Sequence, residues 1–172
     1  MNGRLLLPHL TLCALSCLSL ATAVPAAADT APSAASVAGS QTASQPILGR
    51  WLTEPRDGIV EISLNADGSY QGKIIGGNSP GRLDANNPDA SKRSAVLRGQ
   101  VILQQLKLES PGHWTGGTIY DPDSGHTYSL KVELLDGDHL KLRGFMGISL
   151  LGRNQVWTRY TGTTLDLPPS KP

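Results

Sequence analysis

Three histidines, His113, His126 and His139, recur at intervals of thirteen residues and invite a metal-site reading. Zinc needs three or four ligands converging on one tetrahedral shell. If each His opens an antiparallel strand, consecutive ones begin at opposite ends of the sheet. That places His126 ~25 Å from the other two at ~3.3 Å per residue. They are read as surface histidines, and no metal is expected. Two serines could serve as nucleophiles. Ser149 lies in Gly147-Ile148-Ser149-Leu150-Leu151-Gly152, which lacks the Gly-x-Ser-x-Gly elbow that exposes a hydrolase serine. Ser124, beside Asp123 and near His126, has the composition of a triad, but Asp121-Pro122-Asp123-Ser124-Gly125 is turn chemistry. The glycines scatter over turns and cradle no phosphate. No cofactor and no catalytic residue is therefore assigned; a hydrolase ranks third among the functional readings.

Two places remain where chemistry could reside. One is a long polar connection from Gly77 to Ser94 carrying Asp84, Asn86, Asn87, Asp89 and Arg93. Function concentrates on such loops, so Asp84, Asn87 and Arg93 are candidate loop residues for a protein partner. Asp84-x-Asn86 lacks the glycine and distal glutamate of a calcium loop. The other place is the interior of the fold. Ile62, Tyr128, Leu130, Leu142 and Trp157 are expected to point inward, with Tyr128 and Arg143 as polar fixtures near an open end. A small apolar or amphipathic molecule is the candidate ligand there.

The elements that must position these residues have an apolar period of two. Tyr128, Leu130, Val132 and Leu134 alternate with Ser129, Lys131 and Glu133; Val60, Ile62 and Leu64 alternate with Glu61 and Ser63. Eight strands are expected, near 47–54, 58–65, 69–76, 95–106, 113–120, 126–135, 138–145 and 153–161. Asp67-Gly68 and Asp136-Gly137 suit type I′ hairpin turns. Hairpin-linked strands at even spacing predict an all-β, antiparallel up-and-down barrel, closure being the best cover for its edges. A β-sandwich is the alternative.

A string of short motifs now stands out: Gly49-Arg50-Trp51, Gly72-Lys73-Ile74, Asn87-Pro88, Leu97-Arg98-Gly99, Ile119-Tyr120-Asp121-Pro122, Gly125-His126-Thr127-Tyr128, Leu142-Arg143-Gly144-Phe145 and Gln155-Val156-Trp157-Thr158-Arg159. In this order they resemble the exported bacterial family called domain of unknown function 2147. The resemblance implies a lipocalin-like barrel in the bacterial envelope without an assigned activity. Lipocalins also open with Gly-x-Trp and place an Arg near the end of the last strand, so Gly49, Trp51 and Arg159 are assigned a structural role, the guanidinium stacking on the indole.

Composition frames the rest. Arg4, then an apolar stretch from Leu5 to Leu20, then Ala26-Ala27-Ala28 have the three-part form of a secretory signal peptide. Residues 29–46 are Ala/Ser-rich and read as a disordered linker. The barrel domain is expected over 47–162, and residues 163–172 as a disordered Pro-rich tail. The location expected is periplasmic or secreted, with no transmembrane segment in the mature chain. Ala14-Leu15-Ser16-Cys17 faintly resembles a lipoprotein site, with its leucine one place out of position. Removing the signal takes Arg4 and leaves 14 basic against 14 acidic residues, a balance that gives nucleic acid no footprint. Both cysteines, Cys13 and Cys17, go with it. Intact-mass analysis of exported material should give a chain beginning near Asp29 and free of cysteine. A mass retaining the signal, or a lipidated species at Cys17, would contradict this address.

Overall fold

The computed structural model describes residues 46–54 and 56–169. The expected signal peptide and nearly all of the expected linker lie outside them. Eight antiparallel strands form a closed barrel in chain order: β1 (Gly49–Leu52), β2 (Gly58–Leu64), β3 (Tyr70–Gly77), β4 (Val101–Ser110), β5 (His113–Asp121), β6 (His126–Leu134), β7 (His139–Phe145) and β8 (Arg153–Arg159). The ring is completed by β1 against β8, with Trp51 opposite Arg159 and Leu52 opposite Thr158. It is a barrel, not a sandwich. The helical pieces among the described residues are two single 3-10 turns, Ala90–Lys92 and Ser149–Leu151.

Alternation does most of the positioning. Leu130 and Val132 on β6, Leu140 and Leu142 on β7, and Val60 and Ile62 on β2 are all buried, while Lys131 and Glu61 between them are exposed. β4 departs from the rule. Leu103 and Leu106 are both fully buried although three residues apart, because Gln105 adopts a φ of 54° and adds one residue to the strand. Such a bulge turns an odd spacing into a common face. A period-two reading therefore misplaces β4, expected over 95–106. Val96 instead pairs with Leu83 in an isolated bridge, and Gly99, at a φ of 94°, turns the chain before Val101.

The expected type I′ turns are also corrected. That turn needs positive φ at both central residues. At 67–68 only Gly68 is positive, at 79°, and the hairpin closes from Asn65 N–H to Ser69 C=O at 2.8 Å. At 136–137 neither residue is positive. There the Asp136 carboxylate shapes the turn, accepting from the backbone N–H groups of Asp138 and His139, each at 2.8 Å.

One end of the barrel is solid. Ile47, Trp51, Tyr70, Leu106 and Trp114 are buried there, with the Tyr70 and Trp114 rings edge to face at 6.2 Å. The plug is tied in by polar groups. Trp51 Nε1–H donates to Ile47 C=O at 2.8 Å. The Arg159 guanidinium lies 4.3 Å over the Trp51 ring and donates to the carbonyls of Pro46, Leu48 and Gly137. The tail reading needs correction over its first part. Leu165 C=O accepts from Gly77 N–H at 2.9 Å and Leu167 N–H donates to Gly77 C=O at 3.0 Å, so backbone pairing orders the segment against the end of β3; residues 170–172 lie outside the described residues.

Trp51→Ala should cost about 3–5 kcal/mol through the void it leaves. Arg159→Ala should cost about 2–4 kcal/mol through its lost charged hydrogen bonds. In a denaturant cycle the double variant should fall short of the sum by about 0.5–2 kcal/mol, the stacking contribution; additive losses would remove that contact.

Candidate ligand cavity

The other end is hollow. A cavity of about 420 Å³ opens between the strands, its walls including Val60, Ile74, Ile102, Leu130, Leu142 and Trp157. Trp51, Trp114 and Tyr70 are buried in the closed end. The cavity is bordered by aliphatics and by Gly76 and Gly144, with Trp157, Tyr128, Tyr120 and Phe145 also on its wall.

The expected inward residues separate into two groups. Tyr128, Leu130, Leu142 and Trp157 line the cavity. Ile62 is buried in the packed core and does not. Tyr128 places its hydroxyl 3.4 Å from Ser124 Oγ near the mouth, and Trp157 Nε1–H donates to Gln155 Oε1 at 2.9 Å. Arg143 is not a cavity fixture. It follows inward Leu142 on β7 and so points outward, where it donates to Ser149 C=O at 2.7 Å, Leu150 C=O at 3.1 Å and Asn154 Oδ1 at 2.8 Å. It thereby holds the β7–β8 loop in shape. The tip of that loop is apolar and open, with Ile148, Leu150 and Leu151 all more than half exposed.

The candidate loop residues come together, but on one another. Asp84 is fully buried. Its carboxylate accepts from Tyr120 Oη–H at 2.6 Å and Asn87 Nδ2–H at 2.7 Å, and Arg93 Nε–H donates to Asn87 C=O at 2.8 Å. None of the three lines the cavity. They brace the loop against β5, an internal task for which a buried carboxylate is apt when donors surround it. Arg82 pairs with Asp123 on the β5–β6 turn. Gly125 admits the backbone of the long loop to that turn, since a Cβ there would stand 2.0 Å from Asn86 C=O.

Ser124 Oγ–H donates to Asp121 Oδ2 at 2.7 Å and meets His126 only through the backbone N–H. All three histidines are exposed. No group of three His, Cys, Asp or Glu converges as a metal site among the described residues.

The cavity residues that escaped assignment from sequence include Arg98, Tyr120 and Gln155. Gln155 had a usable signal, standing two residues before inward Trp157 on the same strand face.

The family model "Uncharacterized protein conserved in bacteria (DUF2147)" matches residues 49–159. No curated protein matches the chain. Among solved structures, protein HP1028 from the human pathogen Helicobacter pylori, described as belonging to the lipocalin family, is similar with a TM-score of 0.61 and 21% identity, over 66% of this chain and 82% of that one. The likeness shows a lipocalin-like fold.

The Asp84–Tyr120 contact has a pH signature. Burial, then the adjacent Asp84 carboxylate, push the Tyr120 hydroxyl up to about 12. A folded value above the unfolded one, about 10, means native Tyr120 keeps its proton longer. Its contribution is complete below pH ~10 and lost as pH rises towards ~12. Tyr120→Phe should cost about 1–3 kcal/mol at neutral pH by taking one donor from a buried carboxylate, and should flatten the loss of stability across that alkaline window in denaturant titrations.

Proposed function

The chain belongs to the bacterial family of uncharacterised proteins DUF2147, and on that footing we propose that it is an exported, non-enzymatic protein that binds a small apolar or amphipathic molecule inside its barrel. The cavity carries this reading. Its volume of about 420 Å³ falls within the ~300–1,000 Å³ of small-molecule sites, and an apolar wall lies beneath a rim rich in polar and charged side chains. The void also needs a reason. Interiors ordinarily pack to crystal-like density, and this one does so at only one end.

Export rests on the N-terminal signal pattern, which lies outside the described residues. The rival reading, an envelope protein–protein module working through residues 77–94, loses support from the structure of that loop. Asp84, Asn87 and Arg93 are engaged within it, which leaves fewer of its polar groups for a partner.

Leu130→Trp tests the cavity, because Leu130 is buried on its wall. The wild type should take up an apolar naphthylamine probe with a rise in fluorescence. The variant should lose at least about tenfold in affinity, some 1.4 kcal/mol, while melting close to the wild type. A filled lumen would behave otherwise: overpacking would cost about 1–3 kcal/mol and the wild type would take up no probe. Absence of wild-type uptake across apolar and polar probes would overturn the proposal.

A further inference from the structure

Around the mouth of the cavity most charged groups have employment. Asp57 accepts from Thr53 Oγ1–H at 2.7 Å, and Glu54 accepts from Val156 N–H at 2.7 Å. Asp121 holds Asp123 N–H and Ser124 Oγ–H, and Arg82 holds Asp123. Arg98 differs. Its side chain lines the cavity, yet its Nε–H is buried and makes no hydrogen bond. Its Nη2 alone is engaged, by Asp166 Oδ1 and, at 3.4 Å, by Leu165 C=O.

A guanidinium offers Nε–H and one Nη–H as parallel donors along one edge, matched to the two oxygens of a carboxylate. Nη2 lies on the same edge as Nε. Asp166 therefore uses one prong of a two-pronged edge and leaves the other unsatisfied in a dry position, an arrangement that a better-placed carboxylate would improve. Asp166 is itself half given to solvent, its side chain 65% exposed. The segment that carries it has a built seat: Leu165 C=O comes so close to Gly76 that a Cβ there would stand 2.2 Å away.

We propose that the cavity takes an anionic amphiphile whose single carboxylate sits on the Nε/Nη2 edge of Arg98, and that Asp166 of the C-terminal segment holds that place while the cavity is empty. This rests on the cavity being a ligand site, as above, and adds the chemistry of the head group. The apolar chain lies along Ile74, Leu130 and Leu142; the head stays at the rim, where its charge is paired. Binding exchanges Asp166 for the ligand, so the C-terminal segment gains freedom when the cavity fills.

The test compares cis-parinaric acid with its methyl ester, which differ only in the head. The wild type should bind the acid at least tenfold more tightly than the ester. Arg98→Gln should bring the acid down to the ester's affinity and leave ester binding intact. Arg98→Lys, which keeps the charge but lacks the edge, should lose most of the preference. Asp166→Asn should tighten acid binding several-fold and leave the ester unchanged. Equal binding of acid and ester by the wild type, or an Arg98→Gln variant that weakens both alike, would overturn the head-group assignment while the ligand site stands. An unaltered acid affinity in Asp166→Asn would overturn the exchange. Failure of the wild type to bind either probe would overturn the ligand site and this inference together.

Discussion

Everything in this barrel depends on Arg159 being able to reach three stretches of chain at once. Its guanidinium covers Trp51, caps carbonyls of the entering segment at Pro46 and Leu48, and reaches the β6–β7 turn at Gly137. A planar, always-charged group with five donors is suited to such a junction; an ammonium is not. Because the β1–β8 seam has only two registered pairs, this side chain supplies much of the closure that backbone pairing does not.

Closing one end firmly allows the other to stay open. Tyr70 and Trp114 pack the closed end with Trp51, while the opposite half keeps its void between aliphatic and aromatic walls. Its mouth is framed by loops that are individually braced: Asp84 and Tyr120 hold the long connection, Arg143 holds the β7–β8 loop, and Gly77 holds the C-terminal segment. Internal hydrogen bonds of this kind let polar chain border a cavity without leaving donors stranded. Arg98 Nε is the exception at the mouth.

How much could be read in advance varied with the range of the interaction. β6 is legible because the alternation of Tyr128, Leu130 and Val132 is local and unbroken. The barrel itself is legible because each strand but the first pairs with its predecessor. β4 is obscured by Gln105, since a bulge leaves no mark in a polar/apolar string. Arg143 is misread because an arginine beside an inward leucine says nothing of the loop carbonyls folding back to meet it. Asp84 is recognisable as special but not as buried. Arg98 shows no partner in sequence, for Asp166 lies 68 residues away, and the pairing exists only once the chain returns along β3.

The seam has a consequence for the order of assembly. Seven of the eight strand pairings join neighbours in the chain, and the last joins Trp51 to Arg159. Hairpins form in about 1–10 μs, whereas the entropic cost of joining distant ends rises with the length between them. The seam is therefore the costliest pairing to close. Unless it is closed, β1 and β8 are both bare edges, each a template for another copy's strand. Val156, exposed on β8, adds apolar surface to one of them. The Arg159–Trp51 contact thus locks the one seam whose opening would expose two strand edges to misassociation.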